Sequence, residues 1–544
     1  MKSEPSALRD FTLDSRIWLL SSVALIIGVF ATLLAALLLR CIGLATNLFY
    51  FHRFSTALVS PAGSPLGHWM FFIPIVGGLL VGVMARFGSD KIRGHGIPEA
   101  IEAILLNRAR VEPKIAILKP ISAAIAIGSG GPFGAEGPII MSGGAVGSLI
   151  AQWIRLTDAE RTTLLVAGAA AGMSATFATP VAAILLAVEL LLFEWRPRSL
   201  IPVAVASTTA AILRVYFLGA GPLFPTVAIP GIQSVGFILG AIALGALVGL
   251  ASAGLSRIMY GIEDLFGHLP IHWMWWPAIG GVGIGIGGFF FPRGLGVGYD
   301  NVAALLRGNA PLDLIIGILI AKSLMWAFSL GSGTSGGVLA PLLMIGGAIS
   351  ALAAHAAHAP AGAEAIWALI GMGAMLSGAL GVPLTATFFS LEVTHCLPAL
   401  LPLTAACFAA YLVTSLIMPR SILTEKLSRR GYHLTREYGV DPLELVLVRD
   451  LMSELPADEI GAQLPEVYVF ADETCRSVAE QMAMSGAASL PVVDRATDTV
   501  YGMVTLQDLL RGRLRAIERE NERLRLFGEV MPRTENSADL VSTE

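Results

Sequence analysis

The stretch Gly128-Ser129-Gly130-Gly131-Pro132-Phe133-Gly134-Ala135-Glu136-Gly137-Pro138 lies within apolar sequence and holds too much glycine for a stable helix interior. It ends in a proline followed by helix-compatible apolar residues, the pattern of an extended loop that enters a helix with proline near its first turn. The stretch has a twin. Gly128-Ser129-Gly130 falls on Gly331-Ser332-Gly333 at an offset of 203 residues (331 − 128), and the offset continues without a gap. It pairs Lys119 with Lys322, Gly134 with Gly337, Pro138 with Pro341, Ser174 with Ser377, Pro180 with Pro383 and Glu189 with Glu392. Shared composition of glycine-rich helices explains some glycine pairs, but not proline, serine and glutamate pairs in one register.

Around this repeat the chain is apolar: 544 residues, 55% hydrophobic, 14% charged, mean hydropathy +0.72. A soluble domain carries about 25% charged residues, so a water-soluble fold is excluded. Apolar runs such as 17–50, 164–193, 235–253 and 397–418 approach the ~20 residues a helix needs to span hydrocarbon. They predict on the order of ten to fourteen membrane helices, some short or broken. The first run lacks a short apolar core followed by a cleavage site and reads as a retained helix. Arg86, Lys91, Arg93, Arg108, Arg110 and Lys114 crowd one connection, and Arg420, Lys426, Arg429 and Arg430 follow the last apolar run. Both clusters are expected in the cytoplasm, with the two termini. A net charge of −4 and pI near 6.2 point to no nucleic-acid partner. Cys41, Cys396, Cys407 and Cys475 lack the spacing of a disulfide framework or a metal site.

Duplicated halves are common among transporters, whose binding sites lie at the repeat interface where helices break. A helix N-terminus offers unpaired N–H groups and about half a positive charge, enough to hold an anion without the grip of a full cation. Two such starts follow the twin glycine loops. A third candidate is Gly94-His95-Gly96-Ile97-Pro98-Glu99, again glycine-rich with a proline where a helix can begin. A carboxylate in hydrocarbon is costly and needs a partner or a role. Glu189 and Glu392 are repeat mates, each nine residues after its proline (189 − 180, 392 − 383), which favours a shared structural cap. Glu136 has Leu339 as its mate (136 + 203) and breaks the symmetry where loop becomes helix. It is expected to gate the site, occupying the anion's place while ionised and leaving it when protonated; the alternative is a simple first-turn cap.

Gly94-His95-Gly96-Ile97-Pro98-Glu99, Gly134-Ala135-Glu136-Gly137-Pro138, Gly336-Gly337-Val338-Leu339-Ala340-Pro341 and Pro383 through Glu392 resemble, in order, the signatures of the CLC chloride channel and chloride/proton antiporter family. The likeness runs over about residues 16–435. It implies an all-α polytopic membrane protein built as an inverted repeat of two antiparallel halves, about 16–217 and 230–420. It also implies a homodimer with one anion pathway per subunit, in the inner membrane of a bacterium, and transport rather than enzymatic catalysis. By position, Glu136 is the family's gating glutamate. The anion-binding positions are Gly94, His95, Gly96, Ile97, Gly134, Ala135, Gly137, Val338, Leu339 and Leu423. Chloride or a similar small anion is the expected cargo, the lipid bilayer is the other partner, and no cofactor is required.

Three departures matter. His95 stands where the family usually carries serine, and Leu423 where a tyrosine often closes the inner site. Leu190 occupies the proton-relay position at which the family's antiporters carry a glutamate. Leucine relays no proton, so the expected activity is that of a gated channel or uncoupled carrier. The alternative is a chloride/proton antiporter whose route avoids residue 190, with Glu194 a turn beyond it.

After about residue 438 the composition turns mixed and βαβ-like, marking a small α+β cytoplasmic domain over 436–515. Val448-Arg449-Asp450-Leu451-Met452, Ser489 through Asp494 and Tyr501 through Asp508 resemble a CBS motif. In nucleotide-binding CBS pairs, residues placed like Thr505 and Asp508 contact adenine nucleotide; that is the one cofactor the resemblance allows. A second motif could begin at Phe527-Gly528-Glu529-Val530-Met531, with 13 residues left (544 − 531). Residues 1–15 are read as a cytoplasmic segment and 516–544 as a charged helix and tail. Two other classes fit less well. A membrane hydrolase using Ser129 is disfavoured, because Ser332 repeats its tripeptide and His355, His358 and His395 have no selective spacing. A cation or amino-acid carrier is disfavoured by the amide-rich helix starts.

Overall fold

The computed structural model describes residues 13, 15–226, 231–360, 362–431, 441–444, 446–455, 467–494 and 499–515. They form two compact units, one holding the described residues up to Gly431 and one those from Asp441 onward. Most of the expected N-terminal segment, the tail 516–544 and the second motif at Phe527 lie outside the described residues.

The first half of the membrane unit consists of α1 (Arg16–Phe51), α2 (Ile73–Phe87), α3 (Ile97–Leu105), α4 (Pro113–Gly128), α5 (Glu136–Gln152), α6 (Asp158–Phe177), α7 (Pro180–Leu186) and α8 (Pro197–Leu218). The second consists of α9 (Val235–Gly267), α10 (Trp276–Phe290), α11 (Tyr299–Leu306), α12 (Leu312–Gly317), α13 (Ser323–Gly331), α14 (Leu339–Ala356), α15 (Ala363–Leu380), α16 (Pro383–Thr394) and α17 (Leu400–Ile417), closed by α18 (Ile422–Arg429). The 203-residue offset carries the starts of α2, α5, α7 and α8 onto those of α10, α14, α16 and α17. Two π-helical segments depart from the repeat: Ala187–Leu192 continues α7, and Ile318–Lys322 joins α12 to α13.

Eight helical runs among the described residues are long and apolar enough to cross a membrane, fewer than the ten to fourteen expected. The difference lies in helices too short to cross on their own, such as α3 and α11, of nine and eight residues, and α7, which reaches only Leu192 with its π-helical continuation. At the other extreme α1, with 36 residues, is about 54 Å long and must tilt in a ~30 Å core. Close packing uses the same device in both halves. A Cβ at Gly143 would strike the Gly168 carbonyl, and one at Gly346 the Gly371 carbonyl, so bare glycine backbones let α5 meet α6 and α14 meet α15.

The halves are fastened by their repeated glutamates. Glu189 accepts from the Leu384 and Thr385 amides at 3.1 and 2.8 Å and from the Thr385 hydroxyl at 2.6 Å. Glu392 accepts from the Val181 and Ala182 amides at 3.0 and 2.8 Å. Each carboxylate therefore caps the first turn of the other's helix, satisfying amides that have no intrahelical acceptor.

The second unit is a four-stranded sheet of β1 (Ser453–Glu454), β2 (Val469–Phe470), β3 (Ser489–Val493) and β4 (Val500–Thr505), in the order β1-β4-β3-β2. α19 (Cys475–Ser485) carries the chain from β2 to its parallel neighbour β3, and β3 and β4 pair antiparallel. Val448, Val469, Val478, Leu490 and Val504 form its core.

Candidate functional site

The three glycine loops converge. The Gly134 and Gly337 amides each donate to the other's carbonyl, at 3.3 and 2.9 Å, and the Gly336 amide donates to Gly94 O at 3.4 Å. Gly94 also pairs with Ser335 in a parallel bridge. A Cβ at Gly137 would strike the His95 carbonyl and one at Gly96 would sit 2.6 Å from the Gly137 carbonyl, so the loops touch backbone to backbone. These contacts place the starts of α3, α5 and α14 around one point, with first-turn amides that have no acceptor inside their helices.

Glu136 lies at that point. It is fully buried, with no side-chain hydrogen bond to its carboxylate among the described residues, and the backbone amides of Glu136 and Ala340 are the donors beside it. A Cβ at Gly134 would collide with this carboxylate, and one at Gly337 would lie 2.6 Å from its Oε2. The acid therefore leans over the loop glycines, beside the amides an anion would use, and away from lipid. A buried carboxylate is expensive; here the first-turn amides of Glu136 and Ala340 and the nearby Lys322 offset part of that cost.

Two buried lysines flank the converging loops. Lys119 Nζ, wholly buried, donates to Ile92 O and Gly94 O, both at 2.8 Å. Its mate Lys322, equally buried, donates to Gly296 O at 2.9 Å and Val297 O at 3.5 Å and lies within electrostatic reach of Glu136. Both Nζ groups are held by backbone carbonyls; Lys119 lies within electrostatic reach of Glu99, and Lys322 of Glu136.

The remaining predicted residues fall as follows. Ile97 begins α3 and Ala135 precedes α5, both fully buried, while Val338 and Leu339 open α14. His95 is 2% exposed with its Nδ1 unbonded. Glu99 accepts from the Gly96 amide at 2.9 Å and pairs with Lys426 of α18 at 3.3 Å. Leu423 is fully buried in α18, which packs on α3. Leu190 is fully buried within the π-helical segment.

Glu194 does not continue Leu190's helix, contrary to the expected one-turn spacing. Phe193 adopts a left-handed conformation (φ 53°) and ends it. Glu194 instead bonds the Ser199 hydroxyl at 2.7 Å and pairs with Arg196 and Arg198 at 3.4 and 3.5 Å. In the second unit, Thr505 and Asp508 bond each other: the Thr505 hydroxyl donates to Asp508 Oδ2 at 2.6 Å, and the Asp508 amide donates to Thr505 Oγ1 at 3.2 Å. This reciprocal pair caps the helix over 506–515.

Sequence reading missed the roles of Lys119, Lys322 and Tyr299. Tyr299 heads α11, with its hydroxyl buried, unbonded and within electrostatic reach of Glu136. The signal for the lysines was present as two cations in apolar sequence at the repeat offset.

The family model for the voltage gated chloride channel matches residues 76–415, and that for the CBS domain matches residues 448–515. The chain is 28% identical over 361 residues to the H(+)/Cl(-) exchange transporter ClcA of Citrobacter koseri, covering 64% of this chain and 75% of that one. It is 29% identical over 394 residues to the H(+)/Cl(-) exchange transporter ClcA of Vibrio campbellii, covering 68% and 82%. Among solved structures its fold is similar to that of a slow cyanobacterial Cl-/H+ antiporter, with a TM-score of 0.66 at 23% identity, over 77% of this chain and 99% of that one.

Proposed function

Because the chain belongs to the voltage gated chloride channel (CLC) family and is a multi-pass membrane protein with a C-terminal CBS domain, we propose that it exchanges chloride or a similar small anion for protons. Glu136 is the group on which both ions act. The observation that carries this reading is the buried Glu136 carboxylate, leaning over Gly134 and Gly337 beside the Glu136 and Ala340 amides where three helix starts meet. Ionised, it competes with the anion for the amides. Protonated, it loses its attraction to them and gives way, so a proton is taken up as the anion enters.

The relatives named as H(+)/Cl(-) exchange transporters favour this reading over the uncoupled channel expected from Leu190 alone. Leu190 remains the specific observation for an uncoupled carrier, and it means that a proton route in this chain avoids that residue. Glu194, 29% exposed through its side chain and not committed to a helix cap as Glu189 is, is an acid from which such a route can start. The proposed assembly is a homodimer in a bacterial inner membrane with both termini cytoplasmic. The CBS unit is proposed to brace that dimer rather than to bind adenine nucleotide, because Thr505 and Asp508 are engaged with each other.

Purified protein in liposomes provides the test. A chloride gradient is expected to drive proton uptake at a fixed ratio, whereas anion flux with no proton movement would leave only the uncoupled reading. Glu136→Gln is expected to abolish proton uptake and to make anion flux independent of pH; unchanged pH dependence would put the gate elsewhere.

A further inference from the structure

The membrane face away from the inner basic cluster holds a second feature. Arg16–Glu160, Arg108–Asp158 and Arg430–Glu102 ion pairs gather at the end where α1 begins. Arg40 lies 24 residues farther along α1 (40 − 16), about 36 Å at 1.5 Å per residue, and so near the opposite face. There a cavity of about 340 Å³ opens, lined among others by Arg40, Thr56, Thr176, Arg214, Leu223 and Tyr299.

Its charge is unbalanced. Arg214 is 4% exposed and donates through Nε to Ala175 O and through Nη1 to Gly219 O, each at 3.0 Å. These carbonyls position the guanidinium without neutralising it. Arg40 is exposed, and neither arginine forms an ion pair among the described residues. Tyr299 connects this cavity to the site: its ring lines the wall, held edge-on by Phe224 with centroids 5.7 Å apart, and its unbonded hydroxyl is within electrostatic reach of Glu136.

The repeat gives this arrangement a reason. The offset carries the loop 94–96 onto 297–299 and α3 onto α11, and Lys119 and Lys322 hold matching carbonyls, Gly94 O at 2.8 Å and Val297 O at 3.5 Å. The loop before α11 is therefore the counterpart, on the other face, of the loop before α3. Where one mouth has helix amides, the other also has two arginines.

We propose that this cavity is an outer capture site for the transported monovalent anion, in which Arg40 and Arg214 attract it and the Tyr299 hydroxyl passes it toward Glu136. The inference rests on the anion-transport reading above. Unpaired cations in a concave, low-dielectric mouth focus the field and raise the arrival rate of an anion, an effect that salt screens over about 8–10 Å.

The experiment uses proteoliposomes whose orientation is read from protease access to the C-terminal unit, with chloride varied on one face at a time. Arg40→Gln is expected to raise the half-saturating chloride at the outer face by roughly threefold to tenfold for the lost charge, and Tyr299→Phe to raise it by less through the lost hydroxyl donor, while the inner value stays put. Arg40→Lys is expected to restore it. An unchanged outer value in both variants, or an equal rise on both faces, would overturn the capture site while leaving the transport reading intact. Wild-type protein without anion flux would overturn both.

Discussion

Gly134 and Gly96 border the same junction under different constraints, and the difference is testable. At Gly134 the three atoms nearest an added Cβ all belong to the Glu136 carboxylate, the movable end of a side chain. Gly134→Ala is therefore expected to fold, to push the carboxylate off the loop and to flatten the pH dependence of anion flux. An unaltered pH profile would show that the carboxylate has room elsewhere. Gly96 has φ +90°, and its Cβ would lie 2.6 Å from the Gly137 carbonyl, which cannot yield. A left-handed conformation alone costs about 1–2 kcal/mol for an L-residue, so Gly96→Ala is expected to lower the melting temperature in detergent and to abolish flux, with Gly134→Ala the more stable of the two. Glu136 was legible at this scale because it breaks a symmetry. Lys119 and Lys322 obeyed that symmetry, and a residue that matches its mate gives a sequence no reason to assign it a task. Tyr299 was hidden differently, since its unbonded hydroxyl is a fact of three-dimensional surroundings.

Among elements, the helix starts were the most readable part. Glycine loop, proline and apolar run predicted α5 and α14 correctly, because backbone freedom and the missing proline N–H act locally. The short helix α7 was less so, because largely apolar sequence runs on past Leu186 without a change in composition that marks its end. The crossed caps of α7 and α16 allow a quantitative prediction. Glu392→Gln is expected to weaken the cap on Val181 and Ala182, and Glu189→Gln that on Leu384 and Thr385. Loss of such a cap costs about 0.5–2 kcal/mol, readable as a lower thermal midpoint in detergent. Thr385→Val, which removes only the hydroxyl bond to Glu189 and spares both amides, is expected to cost less than Glu189→Gln. A larger loss for the threonine variant would mean that packing, not capping, dominates there.

For the molecule as a whole, the repeat offset, visible in one line of sequence, predicted the duplicated architecture, because insertion into a bilayer forces each half to satisfy its backbone internally. Whether a proton accompanies the anion was not legible, because one leucine at position 190 closes a single route and says nothing about others. The C-terminal unit offers an independent readout of integrity. Cys475 is fully buried, and burial, with Asp450 adding to it, pushes its thiol up to about 11. The reactive thiolate is therefore scarce at neutral pH. Alkylation followed by mass spectrometry is expected to leave Cys475 unmodified in native protein and to label it once this unit opens; rapid labelling of native protein would mean the unit opens readily.

The reciprocal glutamate caps also set a timetable for biosynthesis. The amides of Val181 and Ala182 wait for a carboxylate 211 and 210 residues downstream. At a ribosomal pace of about 5–20 residues per second, that delay is on the order of ten to forty seconds. Throughout it the newborn first half carries one helix start whose amides lack their eventual acceptor.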